Sequence, residues 1–155
     1  NLVTPSRPID LTNDGDPILI ERYKRIETVW NYMNAHDLDG VRANCSRDYR
    51  GILMGPDKKV TMELTLREMN GAVGQIFESM PNFKFMYRCI QESIEEPGVI
   101  VLHDFVATGV HNGKPFAFGP FPPIEPTGQL VVLDASESHY HFCPETNMIC
   151  KEEVI

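Results

Sequence analysis

Apolar residues follow two different spacings along the chain, and the change of spacing separates predicted helices from predicted strands. In the first part of the chain they recur every three or four positions, which places them on one face of an amphipathic helix. Asp16 is a favourable N-cap and Pro17 suits the first helical position, so a helix is predicted from Pro17 onward. The positions on its apolar face are Ile18, Leu19, Tyr23, Ile26, Val29, Trp30 and Met33.

A second long helix is predicted to start at a capping box formed by Thr65 and Glu68. In such a box the hydroxyl accepts from an amide of the first turn, while the glutamate accepts from the amide of the cap residue. Pro81 marks the end of this helix. Its apolar face comprises Leu66, Met69, Val73, Ile76, Phe77 and Met80. Between the two long helices, a short helix from Asp37 and a short strand over 49–54 are predicted.

After Pro81 the apolar residues alternate with polar ones, which is typical of strands. The predicted strands span 83–94, 98–110, 114–121, 130–142 and 148–155. A His-Asn-Gly signal at 111–113 predicts a hairpin between the second and third of them. Helices followed by an antiparallel meander predict an α+β fold, with N-terminal helices packed on one face of a strongly curved antiparallel sheet.

The strand predicted over 130–142 combines apolar and ionisable positions. Because side chains alternate between the two faces of a strand, Leu133 is expected to share a face with Glu137, His139 and His141. An apolar wall that leads into a few convergent polar groups is what a ligand pocket requires. The alternative is a solvated strand end without a binding role.

Length and charge limit the possible classes of function. With 155 residues the chain is expected to form one domain over 18–155, preceded by an extended N-terminal arm over 1–17. It carries 14 basic and 22 acidic residues, a net charge of -8, so nucleic acid is not expected as a partner. No apolar run approaches the roughly 20 residues of a membrane span, so no membrane association is expected.

The four cysteines form no C-x-x-C pair, so they do not indicate a zinc or redox motif. Cys143 and Cys150 flank the last predicted turn and could form a disulfide, with free thiols as the alternative. The sequence leaves the compartment open, and a soluble, cytoplasmic protein is the expectation.

Three strings in this chain, taken together, resemble the SnoaL-like polyketide cyclases of the nuclear-transport-factor-two-like superfamily. They are FESMPNFKF at 77–85, VIVLHDFVATGVHNGKPFAFG at 99–119, and PTGQLVVLDASESHYHF at 126–142 followed by NMICKEEV. The resemblance extends from about Ile18 to Ile155. It implies a cone-shaped α+β barrel with an internal pocket and a homodimer formed through the sheet.

The resemblance also implies an active site. In the cyclases a carboxylate on the last strand is the acid/base, and a histidine and a second polar residue lie on the preceding strand. By position these become Glu153, His139 and Glu137, with glutamate at the position of the family's aspartate. Further pocket-lining candidates are Tyr23, Trp30, Asp48, Tyr49 and His103.

Such a site suggests proton transfer without a metal or cofactor. A carboxylate buried in an apolar pocket has a raised pKa and can act as a general base near neutral pH. Glu153 would remove a proton next to a carbonyl, and His139 would stabilise the enolate oxygen. We therefore expect cyclisation, isomerisation or dehydration of a small, hydrophobic carbonyl compound of polyketide or terpenoid type.

Two alternatives remain at this stage. Glu137, His139 and His141 present three possible metal ligands along one strand, which would suit a metal-dependent enzyme. The same fold could also serve as a non-catalytic module for small-molecule binding or dimerisation, because a fold does not determine a function.

Overall fold

The computed structural model describes residues 5–117 and 122–155. Three helices and eight strands are assigned within these ranges. They are β1 (Ser6–Arg7), α1 (Pro17–Asn34), α2 (Leu38–Arg42), β2 (Cys45–Met54), β3 (Val60–Thr65), α3 (Leu66–Ser79), β4 (Lys84–Met86), β5 (Cys89–Ser93), β6 (Ile100–Val110), β7 (Leu130–Phe142) and β8 (Ile149–Val154).

The strands form one sheet in the order β1-β5-β6-β7-β8-β2-β3, with β4 also paired to β6. Every pairing is antiparallel except that of β2 with β8, which is parallel. The sheet is therefore mixed rather than purely antiparallel. The α+β class predicted from the sequence is confirmed.

The predicted signals define both long helices. The carboxylate of Asp16 accepts from the amide of Ile18 at the start of α1, and Pro17 is the first helical residue. Both hydrogen bonds of the capping box between Thr65 and Glu68 are present at the start of α3. None of the described helices is long and apolar enough to cross a membrane.

One hydrophobic core joins the helices to the sheet. Ile26 and Trp30 of α1 and Phe77 of α3 pack with buried residues of β4 to β8. Trp30 meets Phe85 edge to face, with ring centroids 4.9 Å apart. Aromatic contacts of this kind favour one arrangement of the helices over the sheet.

Two irregularities decide which side chains face this core. In the pairing of β7 with β8, Phe142 is opposite Ile149 but His141 is opposite Lys151, so Cys150 is an extra residue on β8. A bulge of this kind shifts the alternation of side chains by one position. In β6, Asp104 has a φ of 52°, which interrupts the alternation midway along the strand.

The loop after β6 differs from the hairpin that the sequence predicts. The amide of Gly113 donates to the carbonyl of Ser79 and that of Lys114 to Glu78, so the loop satisfies free carbonyls at the end of α3. β6 instead pairs directly with β7. Of the strand predicted over 114–121, residues 118–121 lie outside the described part, and Phe116 forms an isolated bridge with Ile124.

The strands differ from the prediction in two further respects. The strand predicted over 83–94 is divided into β4 and β5, which both pair with β6. β3 is an edge strand that runs into the cap of α3, and no strand was predicted there. At the other edge, Ser6 and Arg7 of the predicted arm pair with Ser93 and Glu92. The division into an arm and a domain stays a prediction.

Candidate active site

The core contains a cavity of about 210 Å³ between the helices and the sheet. Its walls come from all three helices and from β2, β4, β6, β7 and β8, and most of them are apolar. The residues with polar atoms in the lining are Trp30, Cys45, Tyr49, Asn70, Asp134, Tyr140 and Glu152.

Glu152 is the centre of a hydrogen-bonded network in this cavity. Tyr49 donates to its Oε2 over 2.8 Å, and Tyr140 donates to its Oε1 over 3.0 Å. The indole Nε1 of Trp30 donates in turn to the phenol oxygen of Tyr140 over 3.0 Å. The network therefore links α1 to β2, β7 and β8 across the core.

The surroundings favour a protonated carboxyl group. Burial raises the pKa of Glu152 above its ordinary value, although the hydrogen bonds from Tyr49 and Tyr140 lower it in part. Burial and the neighbouring Glu152 raise the pKa of both phenols. The tyrosines therefore stay protonated near neutral pH, and the pKa of Glu152 is shifted upward, in the direction of neutral pH.

The bulge at Cys150 explains why Glu152 occupies this position. Ile149 and Glu152 both line the cavity, whereas an unbroken alternation from Ile149 would have brought Glu153 inward. Glu152 is paired with Tyr140 and Glu153 with His139, so the two glutamates point to opposite faces of the sheet. A regular alternation therefore favours Glu153 over Glu152. Tyr140 was missed because alternation from Leu133 along β7 puts His139 and His141, and not Tyr140, on the cavity face.

The proposed catalytic residues of the sequence analysis lie on the outer side of the sheet. Nε2 of His139 is 2.6 Å from Oε2 of Glu137, and Nε2 of His141 is 2.5 Å from Oε1 of Glu153. None of the four lines the cavity. The catalytic role of Glu137, His139 and Glu153 stays a prediction, because nothing in this geometry tests it.

His103 belongs to the same outer cluster, which we define as His103, Glu137, His139, His141 and Glu153. Nδ1 of His103 is 3.9 Å from Oε1 of Glu137, and Nε2 is 2.9 Å from the hydroxyl of Ser6. Burial lowers the pKa of His103, and Glu137 opposes this effect. Within the described ranges, no group of three His, Cys, Asp or Glu side chains is arranged to hold a metal ion.

The remaining candidates lie in three places, namely the cavity, the edge of the core and the surface. Trp30 and Tyr49 line the cavity. Tyr23 packs against the core without lining it, and Asp48 is exposed. The four cysteines are free thiols, so Cys143 and Cys150 are not joined. Burial raises the pKa of the cavity thiol, Cys45, to about 12, which makes it a poor nucleophile.

Sequence comparison gives no relative, since no protein-family model and no curated protein matches this chain. Structural comparison gives many. A SnoaL-like protein from Jannaschia sp. CCS1, assigned as a polyketide cyclase, superposes with a TM-score of 0.68 at 14% identity, over 93% of this chain and 90% of that chain. AclR from Streptomyces galilaeus, assigned as a hydroxylase, has a TM-score of 0.67 at 18% identity, over 88% and 89% of the two chains.

A third similar structure extends the comparison beyond the cyclases. An NTF2-like protein of unknown function from Exiguobacterium sp. 255-15 has a TM-score of 0.62 at 12% identity, over 84% of this chain and 96% of that chain. Identities this low show the fold and not the chemistry. The chain therefore shares the fold of these SnoaL-like and NTF2-like proteins, which is the fold that the sequence resemblance implied.

Proposed function

We propose that this protein catalyses cofactor-free proton transfer on a small carbonyl compound bound in the cavity, with Glu152 as the acid/base. The observation that carries the proposal is the position of Glu152. It combines a raised pKa, an apolar cavity and two phenol donors, Tyr49 and Tyr140. The polyketide cyclase assignment of one structural neighbour supports the choice of a carbonyl substrate.

The proposed step begins with the ionised form of Glu152. Its carboxylate takes a proton from the carbon next to the carbonyl, the C–H electron pair forms the C=C bond of the enolate, and the carbonyl π pair moves to oxygen. Once Glu152 holds the proton, Tyr49 and Tyr140 no longer stabilise a carboxylate there. Either phenol is then free to turn its hydroxyl to the enolate oxygen.

The fate of the enolate defines the reaction. Return of the proton from Glu152 to a different carbon is an isomerisation. Loss of a β-hydroxyl, which takes that proton and leaves as water, is a dehydration. Attack on a second carbonyl, whose oxygen takes the proton to become a hydroxyl, closes a ring. The cavity of about 210 Å³ is smaller than the roughly 300–1,000 Å³ typical of pockets for drug-sized ligands. A small ketone, or the reacting end of a longer one, is therefore the favoured ligand.

Deuterium exchange tests the proton abstraction without knowledge of the natural substrate. Small ketones such as 2-butanone, 2-hexanone and cyclohexanone are incubated with the protein in D2O, and exchange next to the carbonyl is followed by NMR. We expect exchange above the buffer background, and we expect Glu152→Gln to reduce it by about 10²- to 10⁴-fold, the usual contribution of a general base. Glu153→Gln is the matched control and should keep the wild-type rate.

Two outcomes would contradict this assignment. Wild-type exchange in Glu152→Gln combined with its loss in Glu153→Gln would restore the sequence prediction of Glu153 as the base. Binding of ketones without exchange by the wild type would favour the alternative of a non-catalytic binding module, for which the largely apolar cavity is also suited. The homodimer, the absence of a cofactor and the cytoplasmic location stay predictions.

A further inference from the structure

A groove rich in arginine lies beside the cavity. It has a volume of about 590 Å³ and is lined by Arg42, Arg47, Arg50, Thr65, Leu66, Arg67 and Asn70. The four arginines are half of the eight in a chain whose net charge is -8. We call this concavity the arginine groove.

The acidic side chains nearby leave part of this positive charge unbalanced. Arg42 pairs with Asp39, and Nε of Arg50 is 3.9 Å from Oε1 of Glu63. Arg47 and Arg67 are exposed and form no salt bridge with any residue in the described ranges. The first turn of α3 also lies here, but the carboxylate of Glu68 already accepts from the amide of Thr65 at this helix end, so the inference depends on the arginines.

The arginine groove and the cavity share a wall. Leu66 and Asn70, one helical turn apart on α3, line both concavities. Arg50 donates through Nη1 to the carbonyl oxygen of Tyr49 over 2.8 Å, and the hydroxyl of the same tyrosine donates to Glu152. A cationic surface and the proposed acid/base are thus connected through adjacent residues of β2.

We propose that the arginine groove binds a terminal oxyanion, carboxylate or phosphate, of a ligand whose apolar carbonyl end enters the cavity. The planar guanidinium group matches both anions, because it can donate two parallel hydrogen bonds to either. The cavity of about 210 Å³ limits how much of such a ligand it can hold, and the proposal places the other end in the groove, on the far side of Leu66 and Asn70. This inference rests on the proposed function, since it assigns the class of compound that the same site takes.

Binding of matched ligand pairs tests the proposal. Trp30 lines the cavity and is the sole tryptophan of the chain, so its fluorescence reports occupancy. The probes are 5-oxohexanoate, 7-oxooctanoate and 9-oxodecanoate, each compared with the methyl ketone of equal length, and a second arm uses the corresponding oxoalkyl phosphates. At least one anionic probe should bind about five- to tenfold more tightly than its neutral partner, with an advantage that falls as salt is added.

Arg47→Gln/Arg67→Gln should remove this advantage and leave the affinity for the neutral ketones unchanged. Lys24→Gln/Lys84→Gln is the matched control, because it removes two exposed positive charges that lie outside the groove and form no salt bridge within the described ranges. Equal affinity for anionic and neutral probes, or an advantage that the groove variant keeps, would overturn the inference and leave the proposed function intact. Failure of every ketone to bind the wild type would overturn both. The two anion arms decide whether carboxylate or phosphate is the preferred group.

Discussion

The two faces of the sheet hold their carboxylates in different surroundings. On the cavity side, Glu152 accepts from two phenols, which donate hydrogen bonds but carry no positive charge near neutral pH. On the outer side, Glu137 lies beside the imidazole of His139, and Glu153 lies beside that of His141. Burial raises the pKa of Glu152 although the phenols donate to it, so this carboxyl group is suited to accepting a proton.

The largest expected effect is on the rate of ketone exchange, and it comes from the residues around Glu152. Tyr140→Phe removes one of the two donors to Glu152, and we expect the ketone exchange rate to fall by about 10²-fold, as for the loss of an oxyanion donor. The hydrogen bond from Tyr140 lowers the pKa of Glu152, so its loss should raise that pKa. The rising limb of the pH–rate profile should therefore move to higher pH.

Tyr87→Phe is the control for this experiment, since Tyr87 packs against the core without lining the cavity. It should change neither the exchange rate nor its pH profile. A profile that does not move in Tyr140→Phe would show that Glu152 is not the group whose ionisation limits the rate.

The next effect is on stability and comes from the same carboxyl group. The pKa of Glu152 is higher in the folded protein than in the unfolded chain. Its contribution to stability is therefore present at acidic pH and is lost as the pH rises through the folded pKa, by about 1.4 kcal/mol for each unit of pKa difference. Glu152→Gln should lessen this fall in urea unfolding measured across pH, whereas Glu153→Gln should retain it.

The smallest expected effect is on the pH dependence of stability contributed by the outer cluster, and it has the opposite sign to that of Glu152. Burial lowers the pKa of His103 in the folded protein, so its contribution to stability is present at higher pH. That contribution is lost as the pH falls from about 6.5 through the folded pKa. His103→Gln should flatten the acid side of the stability profile without altering the alkaline side. If the stability of His103→Gln falls at acidic pH as much as that of the wild type, groups other than His103 cause the fall.

Local sequence signals predicted the helices, because each signal lies within the segment that it defines. The capping box at Thr65 and Glu68 and the N-cap at Asp16 need no information from the rest of the chain. The His-Asn-Gly signal at 111–113 failed because the loop satisfies carbonyls of α3 instead of closing a hairpin. Partners distant in sequence decide such a loop, and local propensity does not reveal them.

The site itself was only partly predictable. The aromatic residues Trp30 and Tyr49 were selected, and a glutamate near the end of the last strand was expected. The choice between Glu152 and Glu153 depended on the bulge at Cys150 in β8, a strand that pairs with β2 on one side and β7 on the other. A one-residue change of alternation exchanges the two faces of a strand, so the bulge accounts for the error on β8. On β7 both Leu133 and Tyr140 line the cavity, so a regular alternation from Leu133 misplaces Glu137 and His139.

The parallel pairing of β2 with β8 has a consequence for how the molecule folds. It joins segments that are about one hundred residues apart, as the separation of 103 positions between Tyr49 and Glu152 illustrates. Contacts of such long range require loop closure before they become favourable, so they slow folding and tend to form late. The hydrogen bond from Tyr49 to Glu152 is therefore expected to be among the last features to form, and partly folded molecules would contain the helices without the complete hydrogen-bonded network of the cavity.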